Sequence, residues 1–263
     1  MARANTIKVL RGGRKISPRR EVIEQLRLRT SLERKLSFNL MTQFAEIGNT
    51  ARTEFEARGG IEITGSFIER RIRSVLEPHW RTVIEKFGTR VLSYRKQDSQ
   101  FETIIRQYLT VSGLQSITNI SNTTRKLLLS TIIAGEADAL GNAAIGQMIF
   151  DTMRGEVSKR RAMTISRTET HTAASFANDE VARSMNLPDL QKQWVSVSDD
   201  RTRSFHAQMN GVTMPMDEDF IVPVNGIEYR MERPGDPRGG AINNINCRCV
   251  LIYVEPDDEL VDV

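Results

Sequence analysis

One histidine and two cysteines are the residues of this chain with the clearest potential for chemistry. Cys247 and Cys249 are separated by a single residue, and His206 lies upstream of them. An imidazole and two thiolates are ligands that suit a zinc ion, so one hypothesis is a structural metal site with zinc as its cofactor. The alternative is that buried thiols and a hydrogen-bonded histidine pack the core of a small domain. The candidates for a fourth ligand are Asp199, Asp200, His171 and a water molecule.

Four short motifs contain or flank these residues. We expect the first to open a helix, where Glu169 complements the helix dipole beside Arg167. The charges of the second follow a strand, so we predict a tight turn in which Asp199 or Asp200 accepts backbone N–H groups and an arginine braces a carboxylate. The third is a turn signal. The motifs are Ser166-Arg167-Thr168-Glu169-Thr170, Asp199-Asp200-Arg201-Thr202-Arg203-Ser204-Phe205-His206, Pro234-Gly235-Asp236-Pro237 and Asn246-Cys247-Arg248-Cys249.

Taken together, with Gly211 after His206 and a strand after the cysteines, these motifs resemble the phage Mu protein F-like head-morphogenesis family, which includes minor head proteins of phages of Gram-positive bacteria. The resemblance covers roughly residues 135–254. It implies a minor structural protein present in several copies per virion, located at the portal vertex or capsid interior and acting in head assembly, DNA packaging or DNA delivery. The implied partners are the portal protein and the major capsid or scaffolding protein.

Enzymatic activity is the alternative from another class. The run Arg167-Thr168-Glu169 is superficially similar to ADP-ribosyltransferases, but a Ser-Thr-Ser-like strand and a Glu-x-Glu loop are missing. A nuclease could use His206 as general base, with Arg201 or Arg203 holding a phosphate. The sequence has no Gly-rich phosphate loop with lysine, no His-Glu-x-x-His and no Gly-x-Ser-x-Gly. We therefore predict a protein that is not an enzyme.

The positioning elements are mainly helical, because only 6% of residues are aromatic and apolar residues recur at helical spacing. Ser17-Pro18 starts a long helix that ends at Gly59-Gly60. We expect Pro78 to break or kink a second helix, residues 111–121 to form a connection, and Thr164 to begin the last long helix.

Short strands follow near the C-terminal end. Residues 193–198 alternate apolar and polar side chains, 250–254 form a β-branched run, and Asn225-Gly226 is a hairpin signal. The predicted class is therefore a predominantly helical α+β fold, with long N-terminal helices followed by a small C-terminal α+β domain. The predicted parts are a basic flexible arm (1–16), a helical domain (17–153), the head-morphogenesis domain (154–254) and an acidic tail (255–263).

The basic arm is the candidate contact with other molecules. The first twenty residues contain no acid, and the net charge of the chain is +4. Such an arm could bind packaged DNA through phosphates, or an acidic groove on the portal or scaffold. The lack of aromatic residues to stack on bases favours the protein partner. The contact residues are Arg11, Arg14, Lys15, Arg19 and Arg20.

The two cysteines and the hydropathy of the chain indicate the cellular compartment of the protein. Their spacing is too short for an unstrained disulfide, which predicts thiols in a reducing compartment. No apolar run approaches the roughly 20 residues that span a bilayer, and no secretory signal is apparent. We expect synthesis in the host cytoplasm, no membrane segment, and a final location in the virion.

Overall fold

A computed structural model describes residues 9–11, 14–62, 65–91, 98–187 and 189–254. This part of the chain forms a predominantly helical α+β fold, as predicted. The helices are α1 (Pro18–Arg58), α2 (Gly65–Val91), α3 (Asp98–Tyr108), α4 (Leu114–Ala137), α5 (Asn142–Arg154), α6 (Glu156–Ser184), α7 (Ser204–Ala207) and α8 (Gly240–Asn244). The strands are β1 (Val9–Arg11), β2 (Arg14–Ile16), β3 (Gln191–Val195), β4 (Thr213–Pro215), β5 (Phe220–Val224), β6 (Ile227–Met231) and β7 (Val250–Val254).

The long first helix is confirmed at both ends. Ser17 Oγ accepts a hydrogen bond from the backbone N–H of Arg20 at 3.4 Å, and Pro18 occupies the first helical position. At the other end Gly59 has a φ of 68° and donates its N–H to the carbonyl of Phe55. A left-handed residue after the last turn favours glycine. Local capping chemistry therefore determines the bounds of α1.

Of the two predicted effects of Pro78, the break is wrong, and the kink stays a prediction. Helix α2 continues through this residue, which lacks the N–H that would bond to the preceding turn. Ile72 and Leu76 before the proline and Trp80 and Val83 after it are all fully buried. Burial of apolar side chains on both sides of the proline stabilises the helix against the local cost, which is about 3 kcal/mol.

The predicted connection at 111–121 is also wrong. After α3, a single π-helical turn (Leu109–Gly113) leads directly into α4. Ile117, Ile120, Thr124 and Leu128 are buried at helical spacing, so the polar residues between them occupy the other faces of a helix. Composition was misleading because serine, threonine and asparagine are common both in loops and on exposed helix faces.

Two compact units make up the chain. One contains Glu33–His79 and Leu109–Ser166 and is helical; in it Gly48 lies against the Met153 side chain so closely that a Cβ there would be 2.6 Å from Met153 Cβ. The other contains the chain up to Leu32, Trp80–Tyr108 and the chain from Arg167. The domain boundaries given above stay a prediction, and residues 1–8 and 255–263 lie outside the described residues.

The strands belong to the second of these units. Strand β3 is central in an antiparallel sheet of order β4-β3-β7, and β5 pairs with β6. The hairpin at Asn225-Gly226 is confirmed, with φ of 51° and 82° at its two turn residues. Val195, Val250 and Ile252 form a small apolar core. Val22 and Leu26 of α1 pack against that core.

No helix in the described ranges combines the length and apolar character needed to cross a bilayer.

His79 makes the stability of the helical unit, which contains Glu33–His79 and Leu109–Ser166, depend on pH. Burial, aided by the charge of Lys35, lowers the pKa of His79 from 6.5 to about 4. Between these two values the unfolded chain binds a proton that the folded chain does not, so stability falls as pH falls through this range. We expect unfolding in urea to show a loss of about 2 kcal/mol from about pH 7.5 to about pH 5 that His79→Gln lacks. An unchanged pH dependence in this variant would contradict the assignment.

Candidate metal centre

The sheet brings the histidine to the cysteines. Val195 at the end of β3 pairs with Val250 at the start of β7, so the chain leaving one strand runs beside the chain entering the other. His206 lies on α7, which follows β3 after a loop, and Cys247 and Cys249 directly precede β7. Antiparallel pairing therefore places the imidazole beside both thiols, although 41 residues separate His206 from Cys247.

The three side chains form a compact and buried cluster. His206 Nδ1 lies 3.6 Å from Cys247 Sγ and 3.5 Å from Cys249 Sγ. The exposed fractions are 2% for the histidine and 1% and 3% for the two cysteines. The potential ligand atoms all lie within 4.8 Å of one another. The predicted ligands are therefore adjacent in the fold and removed from bulk solvent.

Asn243 orients the imidazole. Its Oδ1 lies 3.1 Å from His206 Nε2, while its Nδ2 donates to the carbonyl of Gly239 at 2.8 Å. The amide oxygen therefore faces the ring, and Nε2 carries the ring proton. Nδ1 is then the unprotonated nitrogen, with its lone pair directed at the thiols. No spacing in the sequence pointed to Asn243.

Two further side chains bind backbone carbonyls of residues 247–249, which we call the cysteine segment. Arg29 of α1 is 3% exposed and donates to the carbonyls of Cys247 at 3.1 Å and Cys249 at 3.2 Å. His171 Nε2 lies 3.0 Å from the carbonyl of Cys249. Sequence reasoning did not find Arg29, because the contact spans more than two hundred residues and leaves no local pattern.

The two thiols do not ionise independently. The hydrogen bond from the Cys249 thiol lowers the pKa of Cys247, and the neighbouring His171 and His206 act in the same direction. The same interaction, together with burial, raises the pKa of Cys249. Cys247 therefore loses its proton more readily than Cys249, and the thiolate is the form of cysteine that binds a cation.

Asp199 connects the second motif with the fourth. Its carboxylate accepts both terminal nitrogens of Arg248, one at 2.6 Å, and also the backbone N–H of Arg201 and the hydroxyl of Thr202. The guanidinium of Arg248 holds the pKa of Asp199 well below its usual range. The neighbouring Asp200 is exposed. Asp199 thus builds the turn after β3 and anchors the residue between the two cysteines.

Asp236 organises the third motif. Its carboxylate accepts the backbone N–H groups of Glu232 and Arg238 at 2.7 and 2.9 Å, and it also pairs with the Arg238 side chain. Its backbone carbonyl accepts the Asn244 amide at 2.6 Å. Pro234-Gly235-Asp236-Pro237 therefore supports the end of α8, just before the cysteines.

The first motif lies inside α6, so the expectation that Arg167 and Glu169 are near a helix start is wrong. Helix α6 begins at Glu156, because the buried Ala162 and Ser166 extend its packed face upstream. Glu169 is buried, and its charge together with burial raises the pKa of a neighbouring tyrosine, Tyr108.

Thr168 gives the first motif its connection to the cysteines. Its hydroxyl accepts the backbone N–H of Asn246 at 3.2 Å. Asn246 has a φ of 56°, the left-handed conformation that reverses the chain just before Cys247. The first and second motifs therefore contact the segment 246–249 directly, and the third binds Asn244, two residues before it.

A glycine in the third motif offers a test of this packing. Gly235 has a φ of 84°, and a Cβ there would lie 2.9 Å from the His171 ring. Gly226 has a φ of 82° with nothing within 4 Å. We expect Gly226→Ala to cost about 1–2 kcal/mol of unfolding free energy from backbone strain alone. Gly235→Ala should cost about 1–3 kcal/mol more through overlap with the ring. Equal losses in thermal or urea unfolding would contradict this account.

The structure describes the side chains of two of the five contact residues predicted for the basic arm. Arg19 is exposed, and Arg20 pairs with Glu24 at 2.9 Å. The side chains of the remaining three lie outside the described residues, although their backbones belong to the antiparallel pair β1-β2. These three are Arg11, Arg14 and Lys15.

The fold and the site define a predominantly helical α+β protein whose C-terminal motifs close around a buried histidine–cysteine cluster. The family model described as "Phage Mu protein F like protein" matches residues 119–252, just over half of the chain. The chain belongs to this family.

Two curated relatives are similar to part of this chain. The minor head protein GP7 of Bacillus phage SPP1 is 32% identical over 127 residues, which cover 47% of this chain and 37% of that protein. The NAD(+)--arginine ADP-ribosyltransferase EFV of Enterococcus faecalis (strain ATCC 700802 / V583) is 28% identical over 130 residues, which cover 48% of this chain and 25% of that protein. The similarity thus spans well under half of either relative. No solved structure matches the chain.

Proposed function

We propose that this protein is a minor head protein of a phage virion that acts in head morphogenesis. The observation that carries the proposal is membership of the phage Mu protein F-like family over residues 119–252, together with the similarity to a minor head protein. The contacts that the other three motifs make with residues 244–249 support a rigid structural module. Rigid modules with satisfied polar networks suit a component that must dock in one geometry.

We further propose that the protein docks at the portal vertex or on the inner capsid surface, in several copies, and supports DNA packaging or delivery. Its partners would be the portal protein and the major capsid or scaffolding protein. The exposed Arg19 and the basic sequence around it support a contact with an acidic protein surface or with packaged DNA. This finer proposal concerns location, whereas the first concerns the role.

Genetics and particle analysis test both levels. We expect mass spectrometry to detect the protein in purified virions and cross-linking to connect it to the portal protein. Deletion of its gene should lower the yield of infectious heads, and expression of the intact chain should restore it. Particles that lack the protein but mature normally would contradict the role. Cross-links only to the outer capsid surface would contradict the location.

An enzyme is the second candidate, since one relative is named as an ADP-ribosyltransferase. A nuclease using His206 as base is disfavoured because that ring is 2% exposed and has its Nε2 bonded to Asn243. The cavity beside His206 has a volume of about 10 Å³, too small for a nucleotide. We propose that the chain has no catalytic role. Label transfer from NAD⁺, or cleavage of DNA, by the pure protein would contradict this.

A further inference from the structure

We propose that His206, Cys247 and Cys249 bind one structural zinc ion, with a water molecule as the fourth ligand. The first argument is distance. Tetrahedral zinc with usual bond lengths separates a sulfur ligand from a nitrogen ligand by about 3.6 Å. The two Sγ atoms lie 3.6 and 3.5 Å from the same nitrogen, His206 Nδ1. These two distances therefore match the two sulfur–nitrogen edges of a zinc tetrahedron.

The second argument concerns the lone pair of Nδ1. A neutral imidazole nitrogen has one lone pair and accepts one good hydrogen bond. Two sulfurs at nearly equal distance cannot both donate to it well. A metal ion on the lone-pair axis contacts the nitrogen and both sulfurs at once. Because Asn243 keeps the ring proton on Nε2, Nδ1 is ready to bind a metal without a change of tautomer.

The third argument is preorganisation of the ligand segment. Arg29 holds the carbonyls of both cysteines, and the side chain of Arg248 between them pairs with Asp199. The backbone and the intervening side chain are therefore held by other partners, while both sulfurs lie beside the histidine. Outer contacts of this kind fix ligand direction in metal sites. The spacing of a single residue between the cysteines is thus compatible with two ligands on one ion.

The fourth ligand follows by elimination among the groups named above. The Asp199 carboxylate is bonded to Arg248 and Asp200 is exposed. Among the described residues, the group of potential ligand atoms within 4.8 Å of one another contains His206, Cys247 and Cys249 but not His171. Beside the cluster lies a cavity of about 10 Å³, room for about one water. Its polar lining would hold that water in place. The polar side chains of this lining include those of Arg201, Thr202 and Asn246.

A catalytic thiol could also lie beside a histidine, but it must be accessible to a substrate. Both cysteines are at least 97% buried, and the adjoining cavity accepts nothing larger than a water. A catalytic Cys-His pair needs only one thiol beside the imidazole nitrogen, so catalysis does not explain the second thiol at His206 Nδ1. Burial and the paired sulfurs therefore favour metal ligands over a nucleophilic thiol.

Metal analysis of the intact chain tests the proposal. Protein purified from zinc-supplemented cells should contain close to one zinc ion per chain and lose thermal stability in a chelator. Cobalt added to the metal-free protein should give the thiolate charge-transfer and visible bands of a tetrahedral sulfur site. A metal-free protein with no cobalt bands and a melting temperature that a chelator leaves unchanged would overturn the proposal.

Matched variants distinguish the loss of a metal ligand from the loss of the fold. Cys247→Ser and Cys249→Ser should each abolish the cobalt bands, whereas His79→Gln, which changes a histidine elsewhere, should keep full stoichiometry. If the serine variants do not fold, Asn243→Ala serves instead, because it leaves all three ligands in place. We expect it to weaken zinc binding about 10- to 100-fold. Unchanged affinity in Asn243→Ala, or full zinc content in folded serine variants, would contradict the assignment.

Discussion

Replacement of Arg29 by methionine should lower the free energy of unfolding by about 3 kcal/mol. The guanidinium is buried and donates to the carbonyls of Cys247 and Cys249, and at 3.4 Å to that of Arg248. Methionine keeps most of the apolar contact but supplies no donor, so buried carbonyl oxygens lose their partner. Urea unfolding measured with a chelator present isolates this effect from any bound metal.

Arg27 provides the matched control on the same helix. It lies two residues away and is exposed, so Arg27→Met should change stability by less than about 0.5 kcal/mol. A loss in Arg29→Met no larger than in the control would show that water replaces the arginine at the cysteine segment. The comparison thus measures the buried contact and not the removal of one positive charge.

Local chemistry made some elements predictable. The serine and proline at 17 and 18 begin α1, and Asn225-Gly226 makes the β5-β6 hairpin, because capping and left-handed turn conformations depend on a few adjacent residues. Composition over longer windows was less informative. Segment 111–121 looked like a loop yet continues a helix, since burial of its isoleucines outweighs the weak propensities of its polar residues.

Only some residues of the candidate site could be predicted from the sequence. His206, Cys247 and Cys249 were grouped by chemical type, and the structure brings them together. Arg29 and Asn243 have ordinary residue types, and their roles depend on contacts made only after the chain folds. Sequence alone can rank ligands by chemistry, but supporting residues are defined by distance in space.

Replacement of Arg233 by methionine should cause the largest loss, about 3–5 kcal/mol. Its side chain is 3% exposed and lies 3.4 Å from the fully buried carboxylate of Asp179. The guanidinium also lies over the ring of Phe176, 4.9 Å from its centroid. Without it, Asp179 loses one of its two ion-pair partners among the described residues and keeps Arg183, at 3.1 Å. Urea unfolding at neutral pH should show the loss as a lower midpoint.

A double-mutant cycle separates the ion pair from packing. Asp179→Leu combined with Arg233→Met leaves neither partner charged in the interior, so the double variant should be more stable than the sum of the single losses predicts. We expect a coupling energy above about 2 kcal/mol. The exposed pair of Arg20 and Glu24 is the control, and Arg20→Met should cost no more than about 0.5 kcal/mol. Additive losses at Asp179 and Arg233 would mean that each side chain contributes through its own packing, and that the buried charges do not depend on one another.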